Sequence, residues 1–260
     1  MEKFEMGKHT WNPGQYLKYG GHRLRPSIDL LARVDAENPE TVFDLGCGPG
    51  NSTRLLADRW PEARITGVDN SVDMLEKAAA DLPDLQWVEA DLNGWSPESP
   101  ADVIFSNAAL HWLDDHGALF PKLLEHLNPG GVLAVQMPGN YGAPSHMLIF
   151  GAAEPWMDKI GPAMRPNPVE DLPFYYDALA PVADHLDIWE TSYTQELDGD
   201  NAAAEWIKGS ALKPLLDVLD EDEAHDFFTA YSALAGKAYP KRADGKTLYP
   251  FRRVFIVAKR

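Results

Sequence analysis

The feature that most constrains this chain is the run FDLGCGPGNS, Phe43 to Ser52, where Gly46, Gly48 and Gly50 follow a short apolar stretch at every second position. Glycine loses more backbone freedom on folding than any other residue, so such density points to a tight turn with something lying close against it. Around this turn the chain alternates. TVFDLG has the composition of a buried strand. NSTRLLADRW predicts a helix with Asn51 or Ser52 as N-cap, Thr53, Leu56 and Trp60 on one face, and Pro61 as its stop. ARITGVD is a second strand. SVDMLEKAAADL is a helix capped by Ser71, with Leu75, Ala78, Ala79 and Leu82 as its buried stripe. LQWVEADL and ADVIFSN are third and fourth strands, HGALFPKLLEHLNPGG a helix ended by its Pro-Gly-Gly stop, and VLAVQMP a fifth strand. Strands alternating with helices predict an α/β fold, a mostly parallel sheet with helices on both faces.

After Pro138 the pattern changes. Residues 139–184 are rich in proline, glycine and aromatics and read as irregular helices; HLDIWETSYTQEL is a strand, residues 201–236 are helical, and TLYPFRRVFIVAKR is a last strand. No internal repeat or low-complexity segment is visible. The expected organisation is one domain over residues 1–260, with an N-terminal segment 1–40 over the cleft and a helical cap built from insertions at about 139–184 and 201–236.

Charge and cysteine content narrow the classes. The net charge of -17 argues against nucleic acid, whose backbone needs a basic surface. No stretch approaches the roughly 20 apolar residues of a membrane helix. MEKFEMGKHTWN mixes acids and bases without an apolar centre and does not read as a secretory signal. With Cys47 the one cysteine, no intrachain disulfide is possible, and a cytoplasmic protein without an obligate protein partner is expected. The bases are not evenly spread: residues 237–260 hold eight against one acid, Asp244. That basic end is either a solvated terminus or part of a site for a small anion.

In an open parallel sheet, ligands bind beyond the carboxyl ends of the strands where the strand order reverses. Gly46 permits the tight turn, and Gly48 lets a ligand approach the backbone. Asp69 ends the second strand, at a spacing where an acid accepts both hydroxyls of a ribose. The ligand is therefore read as a nucleoside derivative. Pyrophosphate binders carry G-x-G-x-x-G, whereas this turn is G-x-G-x-G with Asp44 before it. An acid there repels phosphate and suits a cationic amino-acid group, as in S-adenosylmethionine. Cys47 reads as a small buried apolar residue, Met74 as core or ligand contact alike, and no histidine spacing suggests a metal site.

DLGCGPG followed by GVDNS resembles the motifs of class I S-adenosylmethionine-dependent methyltransferases, with their Rossmann-like fold. By that resemblance Asp44, Gly46 and Gly48 face the methionine part, and Asp69 holds the ribose with Asn70, Ser71 and Met74 around it. Asp91 and Leu92 border the adenine, and Asn107 lines the floor below the sulfur. WNPGQYLKYGGHRLRPSIDLLARV, LHWLDDH, AVQMPGN, FYYDAL and FRRVFIVAKR extend the likeness: the chain resembles the trans-aconitate 2-methyltransferase family over nearly its whole length. That resemblance implies methyl transfer to a carboxylate of trans-aconitate. A carboxylate is already ionised at neutral pH, so no general base is needed, and no catalytic residue is assigned.

Arginine forks and tyrosine hydroxyls suit the remaining carboxylates. The candidates are Tyr16 and Tyr19 in the N-terminal segment, Arg25, Trp112 after the fourth strand, Tyr175 and Tyr176 as the cap's aromatic pair, and Arg253. Side chains alternate faces along a strand, so only one of Arg252 and Arg253 is expected to reach inward, and the family pattern favours Arg253. Ordinary packing is the competing role for each aromatic. Two rival functions share the cofactor motifs. A methyltransferase for a phenol or another small molecule would need a base, for which His111 is the candidate. A non-enzymatic binding module would act through a protein partner.

Overall fold

The computed structural model describes residues 24–164 and 167–260. Helix α1 (Arg25–Leu31) carries Pro26 near its start, where a missing N–H costs nothing, and buries Ile28, Leu30 and Leu31. Then follow β1 (Thr41–Leu45), α2 (Asn51–Arg59), β2 (Arg64–Asp69), α3 (Val72–Asp81), β3 (Gln86–Glu89), β4 (Ala101–Asn107) and α4 (His116–Glu125). The chain continues through β5 (Leu127–Pro138), α5 (Pro144–Ala153), α6 (Leu172–Leu179), β6 (His185–Leu197), α7 (Ala202–Lys208), α8 (Glu221–Ala238) and β7 (Thr247–Lys259), with short helical turns between.

The strands form one seven-stranded sheet in the order β3-β2-β1-β4-β5-β7-β6. The pairs β1–β2, β1–β4, β2–β3 and β4–β5 are parallel, with Asp44 beside Gly67 on one side and Phe105 on the other. β7 runs the opposite way to β5, since Gly130 N–H reaches the Arg260 carbonyl while Gly139 N–H reaches that of Arg252. The order reverses at β1, which lies between β2 and β4. The glycine turn leaves the carboxyl end of β1, at the switch point where such sheets bind ligands.

Two local expectations are corrected. The N-cap of α2 is Gly50, in the left-handed region at φ 84°, and makes no side-chain capping bond. The hydroxyls of Ser52 and Thr53 are committed to Asp44 instead. α4 ends at Glu125, not at the Pro-Gly-Gly stop. That tripeptide opens β5, because Gly130 and Gly131 exchange backbone hydrogen bonds with Arg260. A local stop signal is overridden there by a strand partner far along the chain.

The chain divides into two compact units. The first runs up to Gln136 and adds Pro173–Ile188 and Phe255–Arg260; the second comprises Met137–Leu172 and Trp189–Val254. In the first, Val42, Leu45, Ile65, Val68, Val103, Ile104, Phe105 and Val135 are buried strand residues of the sheet. α6, with Tyr175 and Tyr176, belongs to this unit, although its sequence neighbours Pro144–Ala153 belong to the other. In the second, α5 and α7 pack on α8 around Ile149, Ala153, Ile207, Phe227, Tyr231 and Tyr249. A capping box starts α8, with Asp220 accepting from the Glu223 N–H and Glu223 from the Asp220 N–H.

Candidate active site

Asp44 lies in β1 just before the glycine turn and has no exposed surface. Its Oδ2 accepts from Ser52 Oγ and Thr53 Oγ1, each at 2.7 Å. Its Oδ1 is buried without a partner among the described residues. Burial pushes its pKa up to about 6; the two hydroxyls pull it down, and the nearby Asp69 charge adds to the rise. A buried carboxylate with one unpartnered oxygen has room to accept one more hydrogen bond.

The three glycines have separate duties. Gly46, Gly48 and Gly50 take φ of 70°, 52° and 84°, a region where a Cβ is strained. At Gly46 a Cβ would also stand 2.1 Å from that of Ala109, so the turn is pressed against the segment after β4. At Gly48 a Cβ would meet nothing within 4 Å, so this is the open face of the turn. Gly48 N–H donates to Asp69 Oδ2 at 2.9 Å, and Ser71 N–H to Asp69 Oδ1 at 2.9 Å. Asp69 thus ties the turn to the start of α3. Each of its oxygens keeps a second lone pair, enough to accept a ribose diol.

Around this centre Asn70 and Asp91 are exposed, while Ser71 and Leu92 are half-buried. Asp91 Oδ1 accepts from both nitrogens of Asn93. Met74 is 37% exposed, which removes the core role left open for it. Asn107 Oδ1 is a second buried oxygen without a partner among the described residues. Cys47 is buried, its thiol held well above the usual range by burial and by Asp44 and Asp69. No group of three or more histidines, cysteines or acids among the described residues could hold a metal ion.

Sequence reasoning missed Trp87. Its ring lies 2.4 Å from where a Gly67 Cβ would be and 3.1 Å from that of Gly50. Gly67, a glycine inside a strand, was the available signal for a close approach. Ser52 and Thr53, just after the glycine turn, were the signal for the hydroxyl pair on Asp44.

The substrate candidates separate. Tyr16 and Tyr19 lie outside the described residues. Arg25 is exposed, its Nε 3.8 Å from Asp29. Trp112 is 53% exposed and lies tilted on the buried His111, with ring centres 4.8 Å apart. Tyr176 is exposed, but Tyr175 is fully buried, its hydroxyl 2.7 Å from His116 Nδ1. In the second unit, Arg253 is buried with its guanidinium 4.0 Å over the Phe251 ring. Arg252 points the other way, pairing with Glu190 at 3.2 Å. The two arginines thus lie on opposite faces of β7, in keeping with alternation along a strand. Asn140, also missed, supports the strand here: its Oδ1 accepts the Arg252 N–H and its Nδ2 donates to the Pro250 carbonyl.

Comparison with known proteins adds identity to this geometry. Residues 42–131 match the family model described as "Methyltransferase domain". A trans-aconitate 2-methyltransferase of Azoarcus sp. (strain BH72) is 49% identical over 251 residues, 96% of this chain and 99% of that protein. One from Rhodopseudomonas palustris (strain BisB18) is 45% identical over 95% of this chain and 98% of that protein. Among solved structures, an S-adenosylmethionine-dependent methyltransferase from Mesorhizobium loti superposes with a TM-score of 0.50 at 18% identity, over 92% of this chain and 99% of that one. Phosphoethanolamine N-methyltransferase 2 of Haemonchus contortus, solved with S-adenosylhomocysteine, gives 0.54 at 15% identity over 95% of this chain and 56% of that one. At such identity the solved structures share the fold.

Proposed function

The chain belongs to the trans-aconitate 2-methyltransferase family, and on that premise we propose that it transfers a methyl group from S-adenosylmethionine to a carboxylate of trans-aconitate, giving the monomethyl ester and S-adenosylhomocysteine. The observation that carries the cofactor reading is Asp44. A buried acid with an unpartnered oxygen under an open glycine turn favours a cationic amino-acid tail and disfavours a pyrophosphate.

S-adenosylmethionine supplies the activated methyl group on its sulfonium. The chain's own residues bind and orient. Asp69 offers lone pairs to the ribose hydroxyls, Asp44 Oδ1 and the open Gly48 backbone take the methionine part, and Asn70, Ser71, Met74, Asp91 and Leu92 surround the nucleoside. The reacting carboxylate arrives ionised, its reference pKa being near 4, so no residue has to remove a proton. Orientation of bound partners lowers a barrier by up to roughly 7–11 kcal/mol. A site that excludes water would favour a transfer in which opposite charges are lost. Arg253 is assigned to a carboxylate that does not react, by a bidentate fork for which a guanidinium is suited. Trp112 walls the transfer space, and Arg25 and Tyr176 are further contacts.

The test is mass spectrometry of the products after incubation with S-adenosylmethionine and a panel of tricarboxylates and small phenols. A gain of one methyl group on trans-aconitate, labile to mild base as an ester is, supports the proposal. Methylation of a phenol in the same panel, with trans-aconitate untouched, overturns it.

A further inference from the structure

The segment between β4 and α4 is held from two sides inside the first unit. Ala108 sits in the left-handed region at φ 57°, unusual for a residue with a Cβ, and its N–H donates to the Gln136 carbonyl at 2.8 Å. Ala109 is pressed against Gly46. Leu110–Trp112 then form a short 3₁₀ turn that presents Trp112. This turn thus abuts the glycine turn at one end and carries Trp112 at the other.

The first residue of the turn, Leu110, is held by His116 at the start of α4. His116 Nε2 lies 3.0 Å from the Leu110 carbonyl oxygen, and Nδ1 lies 2.7 Å from the Tyr175 hydroxyl. A carbonyl can only accept, so Nε2 carries a hydrogen; in the neutral ring Nδ1 then accepts the Tyr175 O–H. His116 is 4% exposed and Tyr175 has no exposed surface. Phe120 packs against both rings, with centres 5.3 Å and 5.1 Å away, and Phe174 meets Tyr175 edge-on. A buried chain of tyrosine, histidine and carbonyl is a rigid device, since each member orients the next.

We infer that Tyr175 and His116 are a positioning pair, which acts through the Leu110 carbonyl to hold Ala109 against Gly46 and Trp112 in place. This gives Tyr175 a role different from the substrate contact expected of it. The inference rests on the cofactor reading above for its functional consequence, and on geometry alone for the pinning of the turn.

The test labels the protein with 5-fluorotryptophan and assigns the Trp112 fluorine resonance by its loss in Trp112→Phe. Tyr175→Phe keeps the ring and its packing and removes only the hydroxyl. The expected result is a shifted or broadened Trp112 resonance, with S-adenosylhomocysteine affinity by calorimetry falling about two- to tenfold, the size of one neutral hydrogen bond. His116→Leu removes the side-chain donor to that carbonyl and leaves it the Leu113 N–H alone, so it should lower affinity further, whereas His116→Gln, which keeps a second donor, should recover part of it. Tyr175→Phe added to His116→Leu should cost little more, because the tyrosine acts through the histidine. An unchanged Trp112 resonance and unchanged affinity in Tyr175→Phe overturn the inference, and so does a drop in melting temperature as its sole effect. If the unmodified protein bound no S-adenosylhomocysteine, the cofactor reading would fail, while the fluorine resonance would still decide whether the pair pins the turn.

Discussion

Replacing Asp44 by asparagine should stabilise the ligand-free protein and weaken cofactor binding together. Folding raises the Asp44 pKa from 3.8 to about 6, chiefly by burial. At about 1.4 kcal/mol per pH unit, that difference is a penalty of about 3 kcal/mol for holding the charged form inside. The folded state is the one that favours the proton. The penalty is therefore absent below about pH 4, grows as pH rises from 3.8 to about 6, and is complete above it. Asparagine has the same shape and no charge to bury, and the Ser52 and Thr53 hydroxyls can rotate to suit either of its ends. Urea unfolding of the two ligand-free proteins at pH 7.5 should give the variant a midpoint higher by about 1 M, with the gap closing toward pH 4.5. Calorimetry should show its affinity for S-adenosylhomocysteine reduced by about tenfold or more, as one charge-assisted hydrogen bond is lost. In the native protein at pH 6, binding should release on the order of half a proton, because an ammonium beside Asp44 restores the ionised form. A variant no more stable at pH 7.5, or a gap that does not change with pH, would refute the reasoning about burial. Unchanged affinity would remove Asp44 from the cofactor site.

Other substitutions separate the parts of the site. Asp69→Ala should weaken S-adenosylhomocysteine by about tenfold to over a hundredfold and lower the melting temperature, since Gly48 and Ser71 lose their acceptor; full affinity in a folded variant would cancel the ribose assignment. Arg253→Ala should raise KM for trans-aconitate strongly with cofactor affinity nearly unchanged, Arg253→Lys should recover only part, and Arg252→Ala, losing only an exposed pair with Glu190, should be close to neutral in steady-state kinetics. A defect carried by Arg252→Ala instead would place the anion on the opposite face of β7. Gly46→Ala should destabilise the fold by both its Cβ clash and its φ of 70°; adding Ala109→Gly should relieve the clash and leave the backbone strain, so thermal unfolding of the pair should show partial, not full, recovery.

The family's fold was legible because its signals are local. Period-two and period-3.6 patterns delimit strands and helices one at a time, and β4, β6 and β7 begin at the residues where their strand patterns begin, Ala101, His185 and Thr247. The glycines with Asp44 and Asp69 also declare themselves within a short stretch, because a turn that admits a ligand needs residues without a Cβ at fixed places. Alternation along one strand said that Arg252 and Arg253 face opposite ways, and the family resemblance chose between them. What the sequence could not settle was every pairing between distant residues. Nothing local says that Ser52 and Thr53 turn inward to Asp44 instead of capping α2, that Trp87 fills the space Gly67 leaves, or that the Tyr175 hydroxyl is taken by His116. Nor does it say that Asn140 braces β7 at Pro250. A hydroxyl or an amide can bond to its own backbone, to water or to a partner far along the chain at similar cost. Only the packing that removes water from around it selects one of these, and that selection is made by the tertiary structure.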